Sequence, residues 1–314
     1  MVFTPPKESY TGKVYSVTIG IPPNTITFGG ENILPFHSFE GSYPNRPVIA
    51  YEIQDVPPDD WPDTIREVYK DVSSNPVEWA MFCQDKLNAK AIALRLIGTH
   101  PDRENRTPEE AAQTVRDVIS SINVPLIILG SNNTEKDAPV LITASEAAKD
   151  RNCLIGKAQE ANYKTIAAAA MANNHKLIAM SELDINLSKQ LNILITQMGF
   201  DKEKIVIDPM CSALGYGLEY TYSVMERIRL AALTQNDQTM QQPMLGDVGI
   251  YVWKVKEAIA QEGDVPQWGS LRERGIVWEA TTAMALLLAG AELLIMRHPE
   301  AVAIVEKAID ELIR

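Results

Sequence analysis

Cysteine is scarce in this chain, and Cys83, Cys153 and Cys211 are odd in number, far apart and without CxxC spacing. That pattern supplies neither a disulfide framework nor the ligand set of an iron-sulfur cluster or structural zinc, and it fits a reducing, cytoplasmic setting. Histidine is also sparse: His37, His100, His175 and His298 form no HExxH or other close pair. No apolar run reaches the roughly 20 residues that span a bilayer, and MVFTPPKESYTGK lacks a signal-type apolar core. The run from Thr281 to Ile295 is interrupted by Gly290 and Glu292 and reads as helix, turn and strand. Positive charge is in deficit. With 41 acids against 29 bases the formal net charge is -12, which opposes binding to nucleic acid or anionic lipid. GxSxG elbows and dinucleotide or phosphate-loop fingerprints are missing as well, so hydrolase readings have little support.

What the chain does have is a repeated grammar. Short apolar runs stop at a polar or glycine-containing turn and lead into helical spacing. The runs begin at Pro47 (PVIAYEIQD), Ala89 (AKAIALRLIGT), Pro125 (PLIILGS), Asn152 (NCLIGKAQ), Lys176 (KLIAMS), Lys204 (KIVIDPM), Met240 (MQQPMLGDVG) and Glu292 (ELLIMRHP). Eight β/α units over about 250 residues predict a closed (β/α)8 TIM barrel, with its site at the C-terminal ends of the strands. Ahead of them, KVYSVTIG and TITFGG flank a turn and predict a β-hairpin that closes one end of the barrel. The expected units are therefore residues 1–46, a hairpin with a connecting loop, and 47–314, the barrel. The loop GGENILPFHSFEGSYPNRP reads either as an entry clamp or as a packed surface loop. Thr107, Pro108, Glu109 and Glu110 carry helix-start signals, and Ile185, Leu187, Leu191, Leu194, Ile195 and Met198 recur at helical spacing and should face the barrel. YVWKVKEAIAQEG reads as a further helix.

The chemical anomaly is charge inside apolar strands: Glu52, Arg95, Lys157, Asp208, Asp247 and Arg297 lie in or just beyond them. Buried ions need partners, so these residues form either a structural network or the surroundings of a polar ligand. Lys157 also raises Schiff-base chemistry, although CLIGKAQE carries no accompanying motif. Asp208, followed by Pro209, can cap backbone N–H groups or bind a ligand at the mouth.

Three segments in order, FGGENILPFHSFEGSYPNRPVIAYEIQD, DPMCSALGYGLEYTYSVMERIRLAAL and WEATTAMALLLAGAELLIMRHPEA, resemble the small (delta) subunit family of the corrinoid iron-sulfur protein of acetyl-CoA decarbonylase/synthase. The resemblance runs from Phe28 to about Ala301 and implies a barrel similar to those of pterin-dependent methyltransferases. It implies a heterodimer whose large subunit carries the iron-sulfur cluster and the cobamide-binding domain, while this barrel helps to enclose the cobamide. The implied carrier takes a methyl group from methyltetrahydrofolate, through a separate methyltransferase, or from a methanopterin donor. It delivers that group to acetyl-CoA synthase in the reductive acetyl-CoA pathway. With a cobamide over the mouth, strand-end positions become candidate contacts: Gly98 and Thr99 after the second strand, Ser131 and Asn132 after the third, and Ser181 after the fifth. Asp208 and Met210 follow the sixth strand, Gly246, Asp247 and Gly249 lie near the seventh, and Arg297 follows the eighth. The alternative is an enzyme that binds methylated folate or pterin in its own barrel, using Asp208.

Overall fold

The structure, a computed structural model, describes residues 6–313; residues 1–5 and 314, at the outer ends of the two expected units, lie outside it. A hairpin, β1 (Ser16–Ile21) and β2 (Asn24–Gly29), comes first. Eight parallel strands follow: β3 (Val48–Gln54), β4 (Ala91–Arg95), β5 (Leu126–Leu129), β6 (Leu154–Ala158), β7 (Lys176–Met180), β8 (Ile205–Asp208), β9 (Met244–Asp247) and β10 (Ala291–Met296). They close in sequence order, β10 pairing with both β9 and β3. Each apolar run became a strand because both faces of a barrel strand are covered, one by the interior and one by helices. The seventh strand starts at Met244, later than the expected run from Met240.

Inward and outward residues separate cleanly. Ala50, Ala91, Ala93, Ile127, Leu129, Leu154, Ile178, Val206, Leu245, Leu293 and Ile295 form the interior. Their neighbours one residue along, such as Ile49, Tyr51, Ile92 and Leu94, pack against the helices. Val17, Ile19 and Phe28 of the hairpin join the interior cluster, so β1 and β2 plug the N-terminal end. The plug is hydrogen-bonded in place: Gly20 N–H donates to Asn152 O (2.9 Å), and Asn152 Nδ2 donates to Thr18 O (3.1 Å).

Helix boundaries follow local chemistry. Thr107 forms a capping box with Glu110 at the start of helix Pro108–Ser121, and Pro299 opens the last helix, Pro299–Leu312. Two expectations need correction. Leu187 is 44% exposed, because it stands in the helix's first turn, about a quarter turn from the centre of the buried stripe Ser188, Leu191, Asn192 and Ile195. YVWKVKEAIAQEG gives two single turns, Gly249–Val252 and Lys256–Ile259, not one helix. The Arg274 guanidinium takes the carbonyls of Glu257 (2.8 Å) and Ala260 (2.7 Å), where a continuing helix would use them internally.

Candidate functional site at the barrel mouth

On five strands the last apolar interior residue is followed, two positions on, by a charge: Ala50 by Glu52, Ala93 by Arg95, Val206 by Asp208, Leu245 by Asp247 and Ile295 by Arg297. The two-residue period of a strand therefore aims five ions inward at one level. Lys157 follows Leu154 out of step. The pairing of β6 with β7 shifts between Ile155 and Ala158, and this irregularity turns its side chain inward.

These six side chains, each at most 4% exposed, link into one chain of alternating sign. Arg297 Nη2 donates to Glu52 Oε1 (2.8 Å), and Arg95 Nε donates to the same oxygen (3.0 Å). Arg95 Nη2 donates onward to Asp247 Oδ2 (2.9 Å). Lys157 Nζ lies 2.6 Å from Asp247 Oδ2 and 2.7 Å from Asp208 Oδ2. The Arg297 guanidinium also covers the ring of Trp61, 4.2 Å from its centroid. Burial alone would neutralise these groups, but their partners reverse its effect. Burial pushes the Asp247 carboxyl up, yet Arg95 and Lys157 hold it below the usual range; Arg297 and Arg95 do the same for Glu52. Burial would lower the Lys157 ammonium, but Asp208 and Asp247 hold its pKa above the ordinary lysine value. A Schiff-base nucleophile needs a neutral amine, so the geometry opposes lyase chemistry at Lys157.

Two carboxyls beside this floor, outside its alternating chain, behave differently: Glu279, and Asp55, whose one cation, Arg106, stands 3.9 Å away. Asp55, at the end of β3, accepts Gly98 N–H (2.8 Å), and burial pushes it up to about 6. Glu279 accepts the N–H groups of Arg297 (2.7 Å) and His298 (3.0 Å), and burial pushes it up to about 7. Burial lowers His298 to about 4, and its Nδ1 caps the last helix by accepting Glu300 N–H.

The eleven candidate contacts fall into groups. Asp208, Asp247 and Arg297 belong to the ionic floor, and Gly249 makes room for it, since a Cβ there would stand 2.6 Å from Arg297 Cγ. Thr99 is fully buried and donates to Leu96 O (2.7 Å), while Gly98 serves Asp55. Ser131 donates through both N–H (2.7 Å) and Oγ (2.8 Å) to Asp137. A Cβ on Gly246 would meet Leu294 and Leu286, on the helix side. Asn132 is exposed and Met210 half-buried, each with positive φ, and Met210 N–H donates to Asp208 Oδ1 (2.9 Å), so Asp208 braces its own turn and not the helix start. Ser181 is buried with no partner for Oγ among the described residues. Asp55, Glu279 and Trp61 were missed: Asp55 was visible as the acid closing PVIAYEIQD, whereas Glu279 and Trp61 lie in a helix and a loop, with no strand-end signal.

Fold and mouth together define a (β/α)8 barrel whose floor is a chain of buried ions of alternating sign. Residues 16–307 match the family model described as CO dehydrogenase/acetyl-CoA synthase delta subunit, and the chain belongs to that family. It is similar to the acetyl-CoA decarbonylase/synthase complex subunit delta of Methanothermobacter thermautotrophicus, 35% identical over 96% of this chain and 76% of that one. The subunit delta of Archaeoglobus fulgidus is 34% identical over 99% and 71%. Among solved structures, dihydropteroate synthase from Xanthomonas albilineans with 4-aminobenzoic acid aligns with a TM-score of 0.59 at 12% identity, covering 94% of this chain and 97% of that one. That likeness concerns the fold alone. No helix among the described residues is long and apolar enough to cross a membrane.

Proposed function

We propose that this chain is the noncatalytic barrel subunit of a cobamide-dependent methyl carrier in an acetyl-CoA decarbonylase/synthase complex, with its mouth facing a cobamide held chiefly by a larger partner. The supporting observation is the ionic floor. The six charges that could do acid–base, nucleophilic or pterin-binding work neutralise one another, as three acids alternate with three bases. A floor without net charge suits a neutral ring rimmed with carboxamides, which is held by dipoles and apolar contact. Arg95 Nη1 and Arg297 Nε, lacking hydrogen-bond partners among the described residues, fit amide oxygens or bridging water. Asn132 and Met210, at the rim, are the contacts this reading favours. Methyl uptake and release would be supplied by the cobalt of the cobamide when bound; the chain's own groups would position the ring and keep water from one face.

A partner also suits the outer surface. Helix Leu271–Ala289 is apolar on most sides, leaving Val277 53% and Leu288 46% exposed, with Leu230 of helix Leu218–Thr234 43% exposed. The iron-sulfur cluster, the methyltransferase acting on methyltetrahydrofolate and the acetyl-CoA synthase then belong to other chains.

The test is copurification with the native large subunit, followed by cobalt absorption spectra and methyl-transfer assays with each chain omitted. A one-to-one complex with cobalt and iron in the other chain is expected. If the isolated chain binds methylated pterin tightly and methylates free cobamide at a competent rate, the chain is instead a pterin-dependent methyltransferase.

A further inference from the structure

Beside the mouth, between the loops after β6 and β7 and helix Ile185–Gln197, lies a cleft of about 660 Å³. Its floor is apolar, made by Met180, Leu187, Leu191 and Leu194. Three exposed carboxylates, Glu135, Glu160 and Glu182, stand around it, and none is in an ion pair among the described residues. Lys157 is engaged with Asp208 and Asp247, Lys136 with Asn105 Oδ1 (2.7 Å), and Lys164 lies over the Tyr163 ring. Two polar side chains on the wall are also underused. Ser181 is 6% exposed and its hydroxyl has no partner among the described residues, among which the Gln159 carboxamide nitrogen meets only the Met180 sulfur, at 3.7 Å.

We propose that this cleft docks a basic segment of a partner polypeptide, one that seats apolar side chains on the leucine floor and sets lysines or arginines against the three carboxylates. Charge complementarity selects the partner: an acidic rim repels phosphate-bearing or carboxylate ligands and attracts cations. The volume takes more than one side chain, and a hydroxyl beside a carboxamide offers both donor and acceptor to a peptide backbone. Exposed apolar residues ringed by unpaired acids match the groove side of helix-in-groove recognition. The proposal shares Ser181 with the candidate cobamide contacts and assigns it to the peptide, while the ionic floor takes no part in it.

The test is fluorescence anisotropy of the full chain titrated with a labelled amphipathic peptide that carries leucines at i, i+3 and i+7 among lysines. Binding should weaken at least about tenfold in the triple variant Glu135→Gln, Glu160→Gln, Glu182→Gln, and again in Leu187→Asp, an exposed cleft position, with melting curves unchanged, and it should fall with added salt. A control triple on the two helices between β3 and β4, Glu67→Gln, Glu78→Gln, Asp85→Asn, should leave binding intact. No measurable binding overturns the proposal. So does equal binding of a leucine-free lysine peptide, or a control triple as damaging as the cleft triple, since either would reduce the effect to net charge.

Discussion

At the mouth, Arg297, Glu52, Arg95, Asp247, Lys157 and Asp208 alternate in sign, whereas at the base Glu31 and Glu292 flank a single base, Arg229. Both sets are buried, but only the first is balanced. Arg229 Nη2 bonds Glu292 and also Gly290 O (2.7 Å), and Glu292 Oε2 accepts Met244 N–H (2.6 Å). Burial, reinforced by Glu31, nevertheless pushes the Glu292 carboxyl well above its usual range, against the pull of Arg229. Two buried clusters in one barrel thus reach opposite protonation behaviour through stoichiometry. The mouth holds the carboxyls of Asp247 and Glu52 below their usual range, and the base, one cation short, favours a proton on Glu292.

The largest effect that sharpens this contrast is expected for Asp247→Asn. It removes the acid shared by Arg95 and Lys157 and should cost about 3–5 kcal/mol in denaturant unfolding; a loss below about 1 kcal/mol would mean that the mouth is not a linked network. Gly249→Ala comes next. The added carbon 2.6 Å from Arg297 Cγ must displace that side chain from Glu52, and a cost of about 1–3 kcal/mol is expected. Unchanged stability would show that Arg297 is free to move.

The pH axis separates the two ends further. Asp247 and Glu52 have lowered pKa values, so their contribution is present above the usual carboxylate range and lost as pH falls through their folded values. Glu292, being raised, contributes stability that is full below its ordinary 4.5 and declines as pH rises toward its folded value. Glu31→Gln relieves that rise, so its stability relative to the native chain should improve above pH 4.5, read from urea midpoints across a pH series. At neutral pH this smallest of the changes should cost no more than about 1 kcal/mol, or stabilise. A loss as large as that of Asp247→Asn would erase the distinction between the ends.

Much of the barrel was legible because each strand is an apolar run closed by a turn, and the six mouth ions stood out because charge is anomalous in such runs. Which of them pair was not legible. Lys157 meets Asp247 across 90 residues, and only the curvature of the barrel brings β6 and β9, with β7 and β8 between them, to face each other across its interior. The strand-end glycines and serines were read as ligand contacts from position alone, yet Gly246 faces helices and Ser131 braces Asp137. Position along a strand identifies the level in the barrel; the direction of the side chain and its local partners decide the rest. The base triad escaped notice because Arg229 sits in a helix and Glu31 in a loop, where charge is ordinary.

The hairpin that plugs the barrel has a consequence for the order of assembly. It precedes every strand, but its hydrogen-bonding seats are Asn152 at the foot of β6 and Gln241, whose carbonyl accepts Tyr15 N–H just before β9. During synthesis Val17, Ile19 and Phe28 must therefore wait, unsheltered, until the chain has been made through Gln241. Long-range contacts of this kind form late, so pulse-labelled hydrogen exchange during refolding should find the β1–β2 amides protected after those of β3 to β6. A hairpin made before every strand of the barrel would then be among the last elements to lock, leaving any chain stalled before Gln241 marked by an unseated apolar hairpin.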